Sequence, residues 1–279
     1  MSADDEVAGL ERQKLERSLG TITALNREIA TWMESTVIPL VAAHSPPSEL
    51  ERTLRGTLIR SVGWNKTVGK CLLEDFQAVV VSARASFELL ADVLELVKHP
   101  ERIQVMLDWE QSAKLKACES KGKSGSGATL HAAEVPEPYR TFMAQNADRI
   151  HRTRIVHWPT RDDPAKGRHP DRWYDRSFRD ILKLHSGEIA DEFVLFEVLE
   201  SHMNWTTHGT SLVSARGLTI EAFAASSLLS AFTTARILTT IAWLLIDRLD
   251  AAIFSSSKER LVGFRAALGL TIDASIDLE

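Results

Sequence analysis

Cysteine is scarce: only Cys71 and Cys118 occur in 279 residues, far apart and in no C-x-x-C pair, which excludes a disulfide framework and a zinc ribbon. Glycine and proline number 14 and 9, far below what a collagen-like chain requires. Neither sign of charge dominates, since 33 basic against 38 acidic side chains leave a net of -5, so the chain is no globally basic nucleic-acid coat and any basic surface must be local. Long apolar runs are missing as well. A membrane span needs about 20 predominantly apolar residues, whereas Ile237–Ile246 is bounded by Arg236 and Asp247 and reads as a buried core helix. The acidic start, Met1 to Glu6, lacks a basic segment followed by an apolar one, so no secretory signal is expected and a reducing cytoplasm is the expected setting. Internal repeats and alternating strand ladders are absent too. What remains, 44% hydrophobic and 25% charged residues, is the composition of a globular protein with ample length for a core.

Helical periodicity supplies the rest. Leu15, Leu19, Ile22, Leu25, Ile29 and Trp32 recur at steps of three and four, predicting a long amphipathic helix over about 5–36, interrupted near Pro39. Ser48-Glu49-Leu50-Glu51 is a capping-box pattern opening a second helix with Leu50, Leu54 and Leu58 inward, and Gly63-Trp64-Asn65 reads as a break after it. Residues 72–98 are apolar on nearly every side, the mark of a central core helix, and Pro100 can open the next, to about Cys118. The Gly/Ser/Lys stretch 119–127 reads as a surface loop, 139–157 as a helix and 160–173 as an irregular connection. Shorter helices follow at about 175–184 and 189–208, and a strongly apolar one at 220–254. The expected architecture is an all-α helical bundle over 48–279. Residues 1–47, a helix and its connection, either pack on that bundle or serve as a dimerisation arm.

Two polar stripes stand out. Arg84, Glu88 and Asp92 recur every fourth residue in the apolar central helix, with Gln77 extending the row. Glu197, Ser201, Asn204 and His208 lie at steps of four, three and four on a second helix. Charged groups are almost never fully buried unpaired, so the two stripes are best satisfied by facing each other across a polar cleft, although either could instead be a solvated helix face. His208, next to Gly209 at a helix end, could be held charged by the helix terminus. Separately, residues 149–179 hold eight Arg and one Lys against four Asp, a local basic segment suited to phosphates.

The pattern Arg84-x-x-Phe87-Glu88-x-x-x-Asp92, then Trp173 with Ser177-Phe178, then Ser201 followed seven positions later by His208-Gly209, resembles a bacterial helical family known only as domain-of-unknown-function family 5677. The likeness covers about residues 50–250. That family is more distantly similar to the helical superfamily named for higher-eukaryote and prokaryote nucleotide-binding domains (HEPN-like). Many members of that superfamily are metal-independent ribonucleases of toxin and phage-defence systems, acting as dimers through an Arg-x4 to 6-His motif. The resemblance thus implies a HEPN-like bundle, RNA as substrate, a homodimer and no cofactor. Arg152…His157 and Arg179…His185 both fit the spacing, but two matches are no more than 22 arginines and nine histidines produce by chance. Thr153 departs from the Asn, Asp or His that usually follows the Arg, whereas Asp180 fits. Only Arg152 and His157 have the basic segment as independent support. In a nuclease His157 would be the base and Arg152 the stabiliser of charge on phosphorus, with His208 and Arg84 as the rival pair.

Other chemistries lack their motifs: there is no H-E-x-x-H, no phosphate-binding Gly-rich loop after a strand and no G-x-S-x-G elbow. His151, His157, His169 and Asp162-Asp163 have no recognised ligand spacing, and Glu88, Glu197 and His208 lack the paired Glu-x-x-His of di-iron bundles, so no metal site is expected. Two readings stay open: an RNA-cleaving effector of bacterial stress response or phage defence, or a non-catalytic helical module binding a small ligand, nucleotide or protein partner in the polar cleft.

Overall fold

The computed structural model describes residues 3–43, 48–72, 75–121, 136–174, 176–208, 220–249 and 255–276. Every regular element among them is helical, apart from one isolated antiparallel bridge between Pro159 and Gly167. The all-α expectation therefore holds. The chain forms two compact units, one of residues 1–98 with 178–279 and one of residues 99–177.

The larger unit opens with α1 (Ala3–Trp32), which continues through a π-helical turn, Met33–Val37, into α2 (Ile38–Ala43). Pro39 accounts for the wide turn. It has no N–H to offer the Ser35 carbonyl and its ring crowds that oxygen, so the chain widens to an Ile38 N–H to Met33 O bond and carries on without the expected interruption. Next comes α3 (Glu49–Cys71), opened by the anticipated capping box: Ser48 Oγ accepts from the Glu51 N–H at 3.2 Å, and Glu51 Oε2 accepts from the Ser48 N–H at 2.7 Å. The helix runs straight through Gly63-Trp64-Asn65, where a break was expected. One interior glycine costs about 1 kcal/mol, less than the burial gained by continuing the inward row Leu54, Leu58, Val62, Val68.

At the centre is α4 (Phe76–Lys98), on which Val79, Val80, Ala83, Phe87, Leu90, Ala91 and Leu94 are fully buried. It packs against α3, α9 (Ile220–Leu249), α8 (Ala190–His208) and α7 (Phe178–Leu184). A helix apolar on all sides needs neighbours on all sides, and α4 has them. The stretch Ala224–Arg248 of α9 is long and apolar enough to cross a membrane, yet 78% of its apolar window is buried inside the protein. Its neighbours are α4, α3, α1, α8 and α10 (Ser255–Ile276). The sequence reading stops at 254 and does not anticipate α10, although Leu261, Phe264 and Leu268, all buried, carry helical spacing. α1 packs on α3, α9 and α10, with Ile22, Ile29 and Met33 fully buried. Hydroxyls inside this core bond back along their own helices: Ser82 Oγ donates to Ala78 O at 2.7 Å and Ser86 Oγ to Ser82 O at 2.8 Å.

The smaller unit is an αα-hairpin with an irregular loop. A 3-10 turn, Pro100–Arg102, leads into α5 (Ile103–Lys121), which packs on α6 (Glu137–His157). The loop expected over 119–127 falls, from residue 122 onward, outside the described residues. Residues 158–174 are irregular as expected. They fold back on themselves through Arg168 N–H to Trp158 O and Thr160 N–H to Lys166 O, both 2.8 Å.

Candidate functional site

Two polar clusters answer to the sequence expectations, one in each unit. In the larger unit Arg84 of α4 donates from Nη1 to Asn204 Oδ1 on α8 at 2.8 Å and from Nε to Glu88 Oε1 at 3.3 Å. Its guanidinium lies over the Phe178 ring at 5.7 Å, and Phe178 continues edge-on into Phe196 and then Phe87. The Arg84 side chain is only 16% exposed, so the cluster is largely withdrawn from water while its charge is matched. Asp92, one turn further along α4, is half-buried, and Gln77 is exposed. The two stripes thus meet at Arg84, Glu88 and Asn204, but not along their full length. Glu197 and Ser201, expected in the cleft, stand exposed on α8. One stripe on a helix can be covered by a neighbour at one end and open at the other, and α8 turns Phe196, Leu199 and Met203 inward. His208 ends α8, and its side chain lies outside the described residues.

A buried ion cluster that sequence reasoning missed ties α8 to α9 and α10. Glu192, 1% exposed, accepts from Thr240 Oγ1 at 2.7 Å, Arg236 Nε at 2.9 Å and Arg265 Nη2 at 2.9 Å. Arg236 also pairs with Asp191. Burial alone would raise the Glu192 carboxyl, but the hydrogen bonds from Thr240 and Arg236 and the Arg236 charge outweigh it and hold the group below its ordinary value. Sequence offered one faint signal, an Asp-Glu pair in the first turn of a helix, where the macrodipole favours carboxylates.

In the smaller unit α6 carries Arg152 and His157. His157 is half-buried, with Nε2 3.2 Å from Asp108 Oδ2 of α5 and its ring 5.5 Å from that of Trp158. Asp108, whose side chain is 12% exposed, also accepts from Gln104 Nε2 at 3.1 Å. Arg152 is exposed. Five residues of α-helix turn it about 140° from His157, so the two do not share a face. The basic segment divides in the same way. Arg149, Arg161, Lys166, Arg168 and Arg176 are exposed, while Arg154 is buried and donates from Nε to Ser112 Oγ at 2.7 Å and from Nη2 to Ser112 O at 3.0 Å. The other spacing match is not assembled: Arg179 pairs with Glu200 at 2.8 Å, and His185 is buried.

Among the described residues no three His, Cys, Asp or Glu side chains gather to hold a metal ion. Of the sequence candidates, His151 faces Glu119 at 3.9 Å and Asp163 pairs with Lys166 at 3.0 Å. Asp108, Ser112 and Arg154 were not among the sequence-predicted site residues. No charge count distinguishes an arginine turned inward from one in water, and no local spacing links α5 to α6. The chain matches no family model, no curated protein and no solved structure.

Proposed function

We propose that this protein is a metal-independent endoribonuclease of bacterial stress response or phage defence, with His157 as its general base. The observation that carries the reading is the His157–Asp108 pair, set on the helix and beside the loop that bear the exposed arginines. Asp108 faces Nε2 at 3.2 Å, where it would hold the ring by charge and leave Nδ1 to act as the base, as a carboxylate orients a catalytic imidazole. Nδ1 would take the proton of a ribose 2′-hydroxyl. The 2′-oxygen forms its bond to phosphorus as the bond to the 5′-oxygen breaks, and water protonates the leaving oxygen, giving a 2′,3′-cyclic phosphate and a 5′-hydroxyl end. Arg152 and its exposed neighbours would hold the RNA backbone by charge. The family resemblance adds the HEPN-like class, a homodimer and a cytoplasmic setting to this reading.

A second reading is favoured by the Arg84–Glu88–Asn204 cluster: a non-catalytic module that binds a small ligand, nucleotide or protein partner there. One experiment separates the two. Purified protein is incubated with labelled total RNA, with and without chelator. Chelator-resistant fragments with cyclic phosphate ends are expected, lost in Arg152→Ala/His157→Ala and reduced in Asp108→Asn. An absence of cleavage at high protein concentration would overturn the nuclease reading and leave the binding module.

A further inference from the structure

We propose that His169 is an acid-released latch holding the loop of residues 158–174 against α5. Its parts are all in the smaller unit. Ser112, fully buried on α5, lies between two partners: Arg154 Nε at 2.7 Å and His169 Nδ1 at 2.8 Å. An arginine can only donate, so Ser112 Oγ accepts from Arg154. In the latch the Ser112 proton goes to His169 Nδ1, the ring nitrogen beside it, and the imidazole is neutral with its hydrogen on Nε2. One turn earlier on α5, Trp109 stacks on the His169 ring, 6.2 Å between centroids and 18° between planes, and donates from Nε1 to Pro170 O at 3.0 Å. The loop is seated beneath as well. A Cβ built on Gly167 would lie 2.4 Å from the Arg154 backbone carbon, so only glycine permits this approach.

Protonation undoes the arrangement in two ways. With hydrogen on Nδ1 the ring can no longer accept from Ser112, whose hydroxyl must then turn away from its acceptor inside a fully buried site. The imidazolium also stands near the cations Arg154 of α6 and Lys116 of α5, with Asp171 of the loop as the opposing charge. Burial first, then Lys116 and Arg154, lower the His169 pKa from its ordinary 6.5, against the pull of Asp171. The folded loop binds the proton less readily than the open one. Its stability is therefore complete above 6.5 and is lost as the pH falls through the folded value. The loop bears Arg161, Lys166 and Arg168, so acid frees three exposed cations from fixed positions.

The test is amide hydrogen exchange at about pH 7.5 and about pH 5, each corrected for intrinsic rates, with the His169 titration read by NMR. The Thr160 and Arg168 amides are expected to lose protection on acidification. His169→Gln, whose side-chain carbonyl still accepts from Ser112 but takes up no proton, should keep protection at both pH values. Ser112→Ala, which removes the latch's hinge pin, should show low protection at both. A flat wild-type profile, the same acid loss in His169→Gln, wild-type behaviour in Ser112→Ala, or a His169 midpoint above the ordinary value would each overturn the latch.

Discussion

Removing the Glu192 carboxylate strips three donors in the larger unit of the acceptor they share. In Glu192→Ala the guanidinium groups of Arg236 and Arg265, 14% and 29% exposed, lose the group they share, and the Thr240 hydroxyl loses an acceptor. Breaking a buried ion pair from one side costs about 3–5 kcal/mol, because the remaining charge stays desolvated. Arg236 keeps Asp191 and Thr240 keeps the Arg236 carbonyl at 3.1 Å, which places the expectation near 3 kcal/mol. Urea unfolding followed by circular dichroism should show the midpoint fall by about 1–3 M for a slope of about 1–3 kcal/mol/M. A pH series adds a signed check. The folded carboxyl is held below its ordinary 4.5, so the stability it confers is intact above that value and is lost as the pH falls through the folded one. A Glu192→Ala midpoint within error of wild type, or a variant losing as much stability below pH 4.5 as wild type does, would refute this account of the cluster.

Phe87→Ala empties the fully buried centre of α4 where Phe87 meets Phe196 edge-on at 5.2 Å, and should cost about 3–5 kcal/mol in the same urea assay. Gly167→Ala forces a side chain onto the Arg154 backbone and should cost about 1–3 kcal/mol of local stability, read as faster exchange at the Thr160 and Arg168 amides. If the smaller unit holds RNA by its exposed cations, Arg161→Ala/Arg168→Ala should reduce the slope of log affinity against log salt by about 1.4, and an unchanged slope would place the RNA elsewhere.

Much of the helical order was legible because long apolar periodicities dominate it: Leu50, Leu54 and Leu58 opened α3 behind a capping box, and α4 declared itself central by being apolar all round. The errors came where a local signal was outweighed. Gly63 reads as punctuation in isolation, yet burial on both sides carries the helix through it, and Pro39 widens a turn that it was expected to end. Charge patterning located Arg84 and Glu88 and the right partner helix through Asn204, since a charge in an apolar row needs a mate. It misplaced Glu197 and Ser201, because coverage along α8 depends on which neighbour lies alongside, a tertiary property. The least legible feature was Arg154, which is one of eight arginines in the basic segment and the one turned inward, for reasons that reside in Ser112, 42 residues away.

The π turn has a consequence for the face that α2 presents. Ile29, Met33, Val37 and Val41 are spaced by four, and at ordinary pitch each such step drifts about 40° around the helix axis. Uncorrected, Val41 would have rotated out of line with Ile29, yet all four are buried. The widened turn acts as a phase correction, absorbing the surplus rotation so that a row of fours keeps a constant bearing. Regular winding through Met33–Val37 with every residue kept would swing Val41 by about 100° away from its present neighbours, whereas deleting one residue there would remove the wide turn and leave Val41 on its present bearing.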